Sequence, residues 1–164
     1  MRKNLQKGSA LIISLVFLLI LTMIGIASIQ DSTLQERMAG NERDRNLAFQ
    51  SAEAALRAGE DHLRQAGVLF SAAGTNGLIS PDYSGVRPAE DNYPWATRSQ
   101  QVSDTYAGVH SLPRYTIEWL TTQAFTPSDG PEVPIVNVNS YRVTARAVGG
   151  SNDAVVILQS TVSR

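Results

Sequence analysis

The residues able to do chemistry are few in this chain of 164 residues, and their spacing excludes most kinds of it. His62 and His110 are the only histidines, and no cysteine is present. Neither histidine stands at a metal-ligand or triad spacing, so a solvated or hydrogen-bonded role is the plain reading of both. There is no phosphate-binding glycine loop and no dinucleotide fingerprint, and Gly149-Gly150 reads as a turn. Asp82, Glu90 and Asp91 offer carboxylates to calcium but lack EF-hand spacing, and no metal or other cofactor is expected. Tyr83, Tyr93, Trp95 and Tyr106 place aromatics in a polar stretch, either for loop packing or as a contact surface. What remains is a processing site: Lys7-Gly8-Ser9 stands directly before a long apolar block. Nothing in the chain makes an enzyme.

The apolar block is the dominant element. Residues 8–29 carry no charge, and as a helix these twenty-two residues reach about 33 Å, against a hydrocarbon core of roughly 30 Å. Arg2, Lys3 and Lys7 precede the block while Asp31 and Glu36 follow it, which puts the amino terminus in the cytoplasm. The formal net charge is −1, from 14 basic against 15 acidic residues; without the three leading cations the balance is −4. Such a body has no general attraction for a phosphate backbone, and direct nucleic-acid binding is not expected. Three fates fit the block: a secretory signal cut near Gly25-Ile26-Ala27, an uncut single-span anchor, or a cut after Gly8 that leaves the span on the mature protein. A cut near residue 27 would fall inside a continuous helical pattern, because residues 31–66 contain no proline.

Good helix formers continue beyond the block, so one helix is expected from Ser9 to about Ala66, near 87 Å long. Phe49, Ala52, Leu56, Gly59 and Leu63 recur at spacings of three and four and mark an apolar stripe, assigned to packing on a sheet. Residues 67–113, rich in Gly, Ser, Asn, Asp and Pro, read as an irregular connection with at most a short strand. Tyr115, Ile117 and Trp119 alternate with polar residues, as do Tyr141, Val143, Ala145 and Ala147. A third run at 154–162 follows the turn at 149–153 and makes a hairpin. Three or four antiparallel strands are expected, with Tyr141, Val143, Val155 and Ile157 facing the helix and a proline-rich loop over 126–134. The fold class is α+β.

A basic leader ending in glycine, an apolar helix after it and a long amphipathic continuation resemble a type IV prepilin. Within that class, Ser32-Thr33-Leu34-Gln35-Glu36-Arg37-Met38-Ala39-Gly40-Asn41 and the stretch from Arg43 through Phe49 to Arg57 resemble the PilX group of minor pilins. The ending, Tyr141 to Arg146 and Val155 to Thr161, also fits. The resemblance implies a pilin-like fold with five parts. Residues 1–8 form a leader removed by prepilin peptidase, 9–30 the membrane and filament-core half of the helix, 31–66 its amphipathic half, 67–113 the connection, and 114–164 the sheet. It further implies cleavage between Gly8 and Ser9, N-methylation of Ser9, residence in the inner membrane before assembly, and a place at the pilus tip. The implied partners are other minor pilins and a tip adhesin. Most pilins carry glutamate as the fifth mature residue, to neutralise a neighbour's terminal ammonium in lipid; here Ile13 holds that place. A tip subunit has no earlier-added neighbour to neutralise, which makes Ile13 readable as a tip signature, although any spanning helix also favours isoleucine. The tip pseudopilin of a type II secretion system shares that departure and is the rival within the class. An anchored periplasmic protein is the rival outside it.

Overall fold

The computed structural model describes residues 9–103, 106–125 and 136–164, so the leader with Gly8 and the proline-rich loop lie outside the described residues. Helix α1 runs Ser9–Arg64 without interruption, in agreement with the absence of proline. The chain divides into two compact units, Met1–Glu42 and Arg43–Arg164. In the first unit every described residue is exposed, because a single helix has no second layer on which to bury its side chains. Among the described residues, every buried one lies in the second unit.

In the second unit the end of α1 lies on a five-stranded mixed sheet. Strand β1 is Leu78–Ile79, β2 Gln100–Gln101, β3 Arg114–Phe125, β4 Val136–Val148 and β5 Val155–Ser163. The order is β1-β3-β4-β5, and β2 also pairs with β3. The three long strands are antiparallel, as alternation predicts. The added strands come from the connection: β1 is parallel to β3 and β2 antiparallel to it, each only two residues long. Such short pairings leave no periodic signal in the sequence, so alternation alone predicts an all-antiparallel sheet and misses the parallel β1.

The helix-facing core joins Ala55 and Leu63 to Tyr115, Ile117, Tyr141, Val143 and Ala145. The other face of the sheet is also covered. Thr116, Glu118 and Thr144 are fully buried there, beneath the connection, whose Ile79, Tyr83 and Tyr93 form a second cluster with Trp95 against it. The loop aromatics therefore pack inward; Tyr106 is half-buried and joins the helix-side core.

Two expectations about facing residues need correction. Phe49 is 48% exposed, and the buried positions of α1 are Ala48, Ser51, Ala52, Ala55, Gly59 and Leu63. The helix is turned so that its small residues, not its largest, meet the sheet. Gly59 shows why: a Cβ there would stand 2.6 Å from Val143 Cγ1 and 3.0 Å from the Tyr115 ring. At that approach an aromatic cannot sit on the contact line. Ala52 and Leu63 are on that line, and Leu56 is half-buried at its flank. In β5 the expected face is off by one residue, for Val155 and Ile157 are 42% and 45% exposed. The register pairs Tyr141 with Val162, Ala145 with Leu158 and Ala147 with Val156, so the half-buried Val156, Leu158 and Val162 share the helix side. The run from Ala154 to Leu158 is apolar throughout and gives alternation nothing to read.

Candidate functional site

The candidate site of the first unit is the surface of the apolar helix. Ser9 is its first residue and is exposed. Ile13, one turn on, is 55% exposed, and the first turn contains no acidic residue. Hydroxyl groups would be costly in hydrocarbon unless bonded, and here four of them bond back into their own helix. Ser14 Oγ donates to the Leu11 carbonyl at 2.9 Å and Thr22 Oγ1 to Leu19 at 2.8 Å. Ser28 Oγ donates to Ile24 and Thr33 Oγ1 to Ile29, both at 3.0 Å. The remaining surface, from Leu11 through Phe17 to Ile29, is aliphatic or aromatic, and the helix is long and apolar enough to cross a membrane. At Gly25 and Gly40 an added Cβ would meet nothing within 4 Å, so close approach of a further helix is open at both.

The second unit contains the polar features that spacing alone did not find. Asp44, early in the buried half of α1, receives the β4–β5 turn: its carboxylate accepts bonds from the Gly150 amide, the Ser151 hydroxyl and, at 3.2 Å, the Ser151 amide. The Ser151 hydroxyl, with the two backbone amides, holds the Asp44 pKa below the ordinary aspartate value of 3.8. A Cβ at Gly149 would collide with Asp44, so the glycine pair admits the carboxylate as well as turning the chain. The only sequence cue was Gly149-Gly150-Ser151, which offers consecutive amides to an anion but does not say whose.

Glu118 is the other. It is 1% exposed on the outer face of the sheet, and Arg87 Nη1 donates to its Oε1 at 3.1 Å. Arg142 stands 3.9 Å from Oε2. The two arginines, with Pro81, Leu120 and Trp119, line a cavity of about 190 Å³ beside it. Arg87 also donates to the Tyr83 carbonyl at 3.1 Å, so this pair fastens the connection to the sheet. His62 Nδ1 lies 3.0 Å from the Tyr115 hydroxyl, a helix-to-sheet contact, and burial raises the Tyr115 pKa. Among the described residues no cluster of histidine and carboxylate side chains has a metal-binding arrangement.

Two family models match the chain: PilX N-terminal over residues 7–57, and type IV pilus assembly protein PilX C-term over residues 41–164. The chain belongs to the PilX family. No curated protein and no solved structure matches it. PilX proteins are minor pilins of type IV pilus assembly, structural components rather than a family of enzymes, and the long apolar helix on an α+β body is the pilin-like arrangement that membership implies. In this PilX chain the two models overlap on residues 41–57, the stretch that contains Asp44 and the buried Ala48, Ser51, Ala52 and Ala55 of α1.

Proposed function

We propose that this minor pilin primes type IV pilus assembly and sits at or near the pilus tip with other minor pilins, beneath a tip adhesin. Prepilin peptidase removes residues 1–8 between Gly8 and Ser9, and Ser9 is N-methylated. Before assembly the helix spans the inner membrane once, with its amino terminus in the cytoplasm. The observation that carries this reading is the pairing of an apolar stretch of helix, residues 9–29, that buries none of its side chains with Ile13 at the position where most pilins place glutamate. The first requires lipid or neighbouring subunits around the span. The second removes the charge that would receive a neighbour's ammonium, which suits a subunit added before any other.

The test is made in the host. Deletion of the gene is expected to abolish or sharply reduce surface pili, and mass spectrometry of the purified protein to show a methylated Ser9 start. Ile13→Glu is expected to insert normally but to lower pilus number, because its carboxylate finds no ammonium. Pili unaffected by deletion, with loss of protein secretion instead, would assign the chain to a type II secretion system. An intact Met1 with normal pili would make it an anchored periplasmic protein.

A further inference from the structure

The sheet has two edges, and they are treated differently. Beyond β3 the edge is occupied by β1 and β2, and the β3–β4 register is broken by a bulge between Trp119 and Thr121. Beyond β5 there is no strand among the described residues. Proteins ordinarily blunt such an edge with a charge, a proline, a bulge or a short strand. Strand β5 is nine residues long, keeps unbroken register with β4, and has no proline and no charged side chain.

The register identifies which backbone groups point outward. Asn139 and Arg164 exchange both backbone bonds, at 2.7 and 2.8 Å, so they are a hydrogen-bonded pair. Alternation from there places Tyr141 with Val162, Val143 with Ser160, Ala145 with Leu158 and Ala147 with Val156 in bonded pairs. The bond from the Gly149 amide to the Ala154 carbonyl continues the same phase. The N–H and C=O groups of Ile157, Gln159, Thr161 and Ser163 therefore face away from β4. Among the described residues no backbone hydrogen bond reaches them. Their side chains are also exposed, so none of the described residues shields this row.

We infer that the free edge of β5 is an assembly surface that receives an extended, uncharged strand from another subunit of the pilus machinery; the identity of that partner class rests on the function proposed above. The occupant must be a strand, because only a strand presents donors and acceptors at the matching spacing. It is uncharged because Val155 to Ser163 offers no counter-ion, and apolar side chains in it would cover Val155 and Ile157. A second copy fits poorly: antiparallel pairing about Gln159 would set Val155 beside Ser163 and Ile157 beside Thr161, apolar against hydroxyl.

The geometry supplies its own probe. Proline at position 161 removes only an outward N–H, whereas proline at 160 removes a bond to β4. The full chain, carrying a photoreactive benzoylphenylalanine at Gln159, is expressed in its host and irradiated. One adduct with a pilus protein is expected, with the cross-linked peptide an uncharged segment. Thr161→Pro in the same chain should abolish it while leaving the thermal transition near that of the parent, and Ser160→Pro should unfold the body. Should Thr161→Pro itself unfold, Thr161→Lys decides, since a lysine on the edge is expected to remove the adduct with the fold intact. No adduct, an adduct insensitive to both substitutions at 161, or an adduct to a second copy overturns the inference. Normal pili after deletion would overturn the proposed function instead, and a proline-sensitive adduct would still establish the edge as a docking strand.

Discussion

Asp44 joins the helix to a turn more than a hundred residues later in the chain. A carboxylate accepting two amides and a hydroxyl is stabilised in its charged form, so its folded-state pKa is depressed. The contribution to stability is then fully present above the ordinary aspartate value of 3.8 and is lost as pH falls through the lower folded-state value. Asp44→Asn is expected to lower Tm at pH 7, and the gap between variant and parent should narrow as pH falls below the ordinary aspartate value and close once the folded-state carboxylate is protonated. Thermal unfolding in detergent across that range checks this; a constant gap would assign the loss to shape rather than charge. The contact was not legible in the sequence, because an aspartate on a helix reads as solvated surface until the fold brings a glycine turn to it. The pairing of Arg87 with Glu118 was hidden in the same way, since a carboxylate on the outer face of a strand signals exposure unless a loop is known to lie over it.

At the scale of elements, strong periodicity in the sequence specifies helix and strand, and weak periodicity leaves the facing residues open. The uninterrupted helix, the three long strands and the hairpin followed from composition and alternation. The facing residues were harder, for two physical reasons. Apolar size favoured Phe49 and Leu56, while packing against a sheet favoured the residues that let the backbones close up, Ala48, Ala52, Ala55 and Gly59. In β5 the continuous apolar run left the face undetermined, and the pairing of Val143 with Ser160 set it. The corrected helix face predicts a ranking. Gly59→Val should cost about 1–3 kcal/mol, since its side chain must displace Val143 and Tyr115. Leu56→Ala should cost less than the ~2–5 kcal/mol of a fully buried leucine, because Leu56 is only partly buried. Phe49→Ala should cost least, under about 1 kcal/mol, as a surface substitution outside the core. Chemical denaturation of the three variants checks the order, and a larger loss at Phe49 than at Gly59 would reverse the orientation assigned to the helix.

The whole molecule combines two units with opposite solvent requirements. In Met1–Glu42 the described side chains are all exposed, and most of those over residues 10–29 are apolar, so water is a poor solvent for it. Arg43–Arg164 has a helix, a sheet and a covering connection arranged in two clusters, and the first buried helix residue, Ala48, lies inside it. With no cysteine in the chain, no disulfide holds that unit, and 122 residues from 43 to 164 are enough for an independent core. A fragment Arg43–Arg164 should therefore be soluble and monomeric without detergent, and should unfold in one cooperative transition. Its new amino terminus leaves Asp44 able to accept the Gly150 and Ser151 bonds, so its Tm should fall within a few degrees of the full chain in micelles. The full chain from Ser9 should aggregate when the detergent is removed. Calorimetry and sedimentation of both species separate the outcomes: a fragment that unfolds without cooperativity would show that the body depends on the apolar half of the helix, and a full chain that stays monomeric in water would show that its span is covered from within.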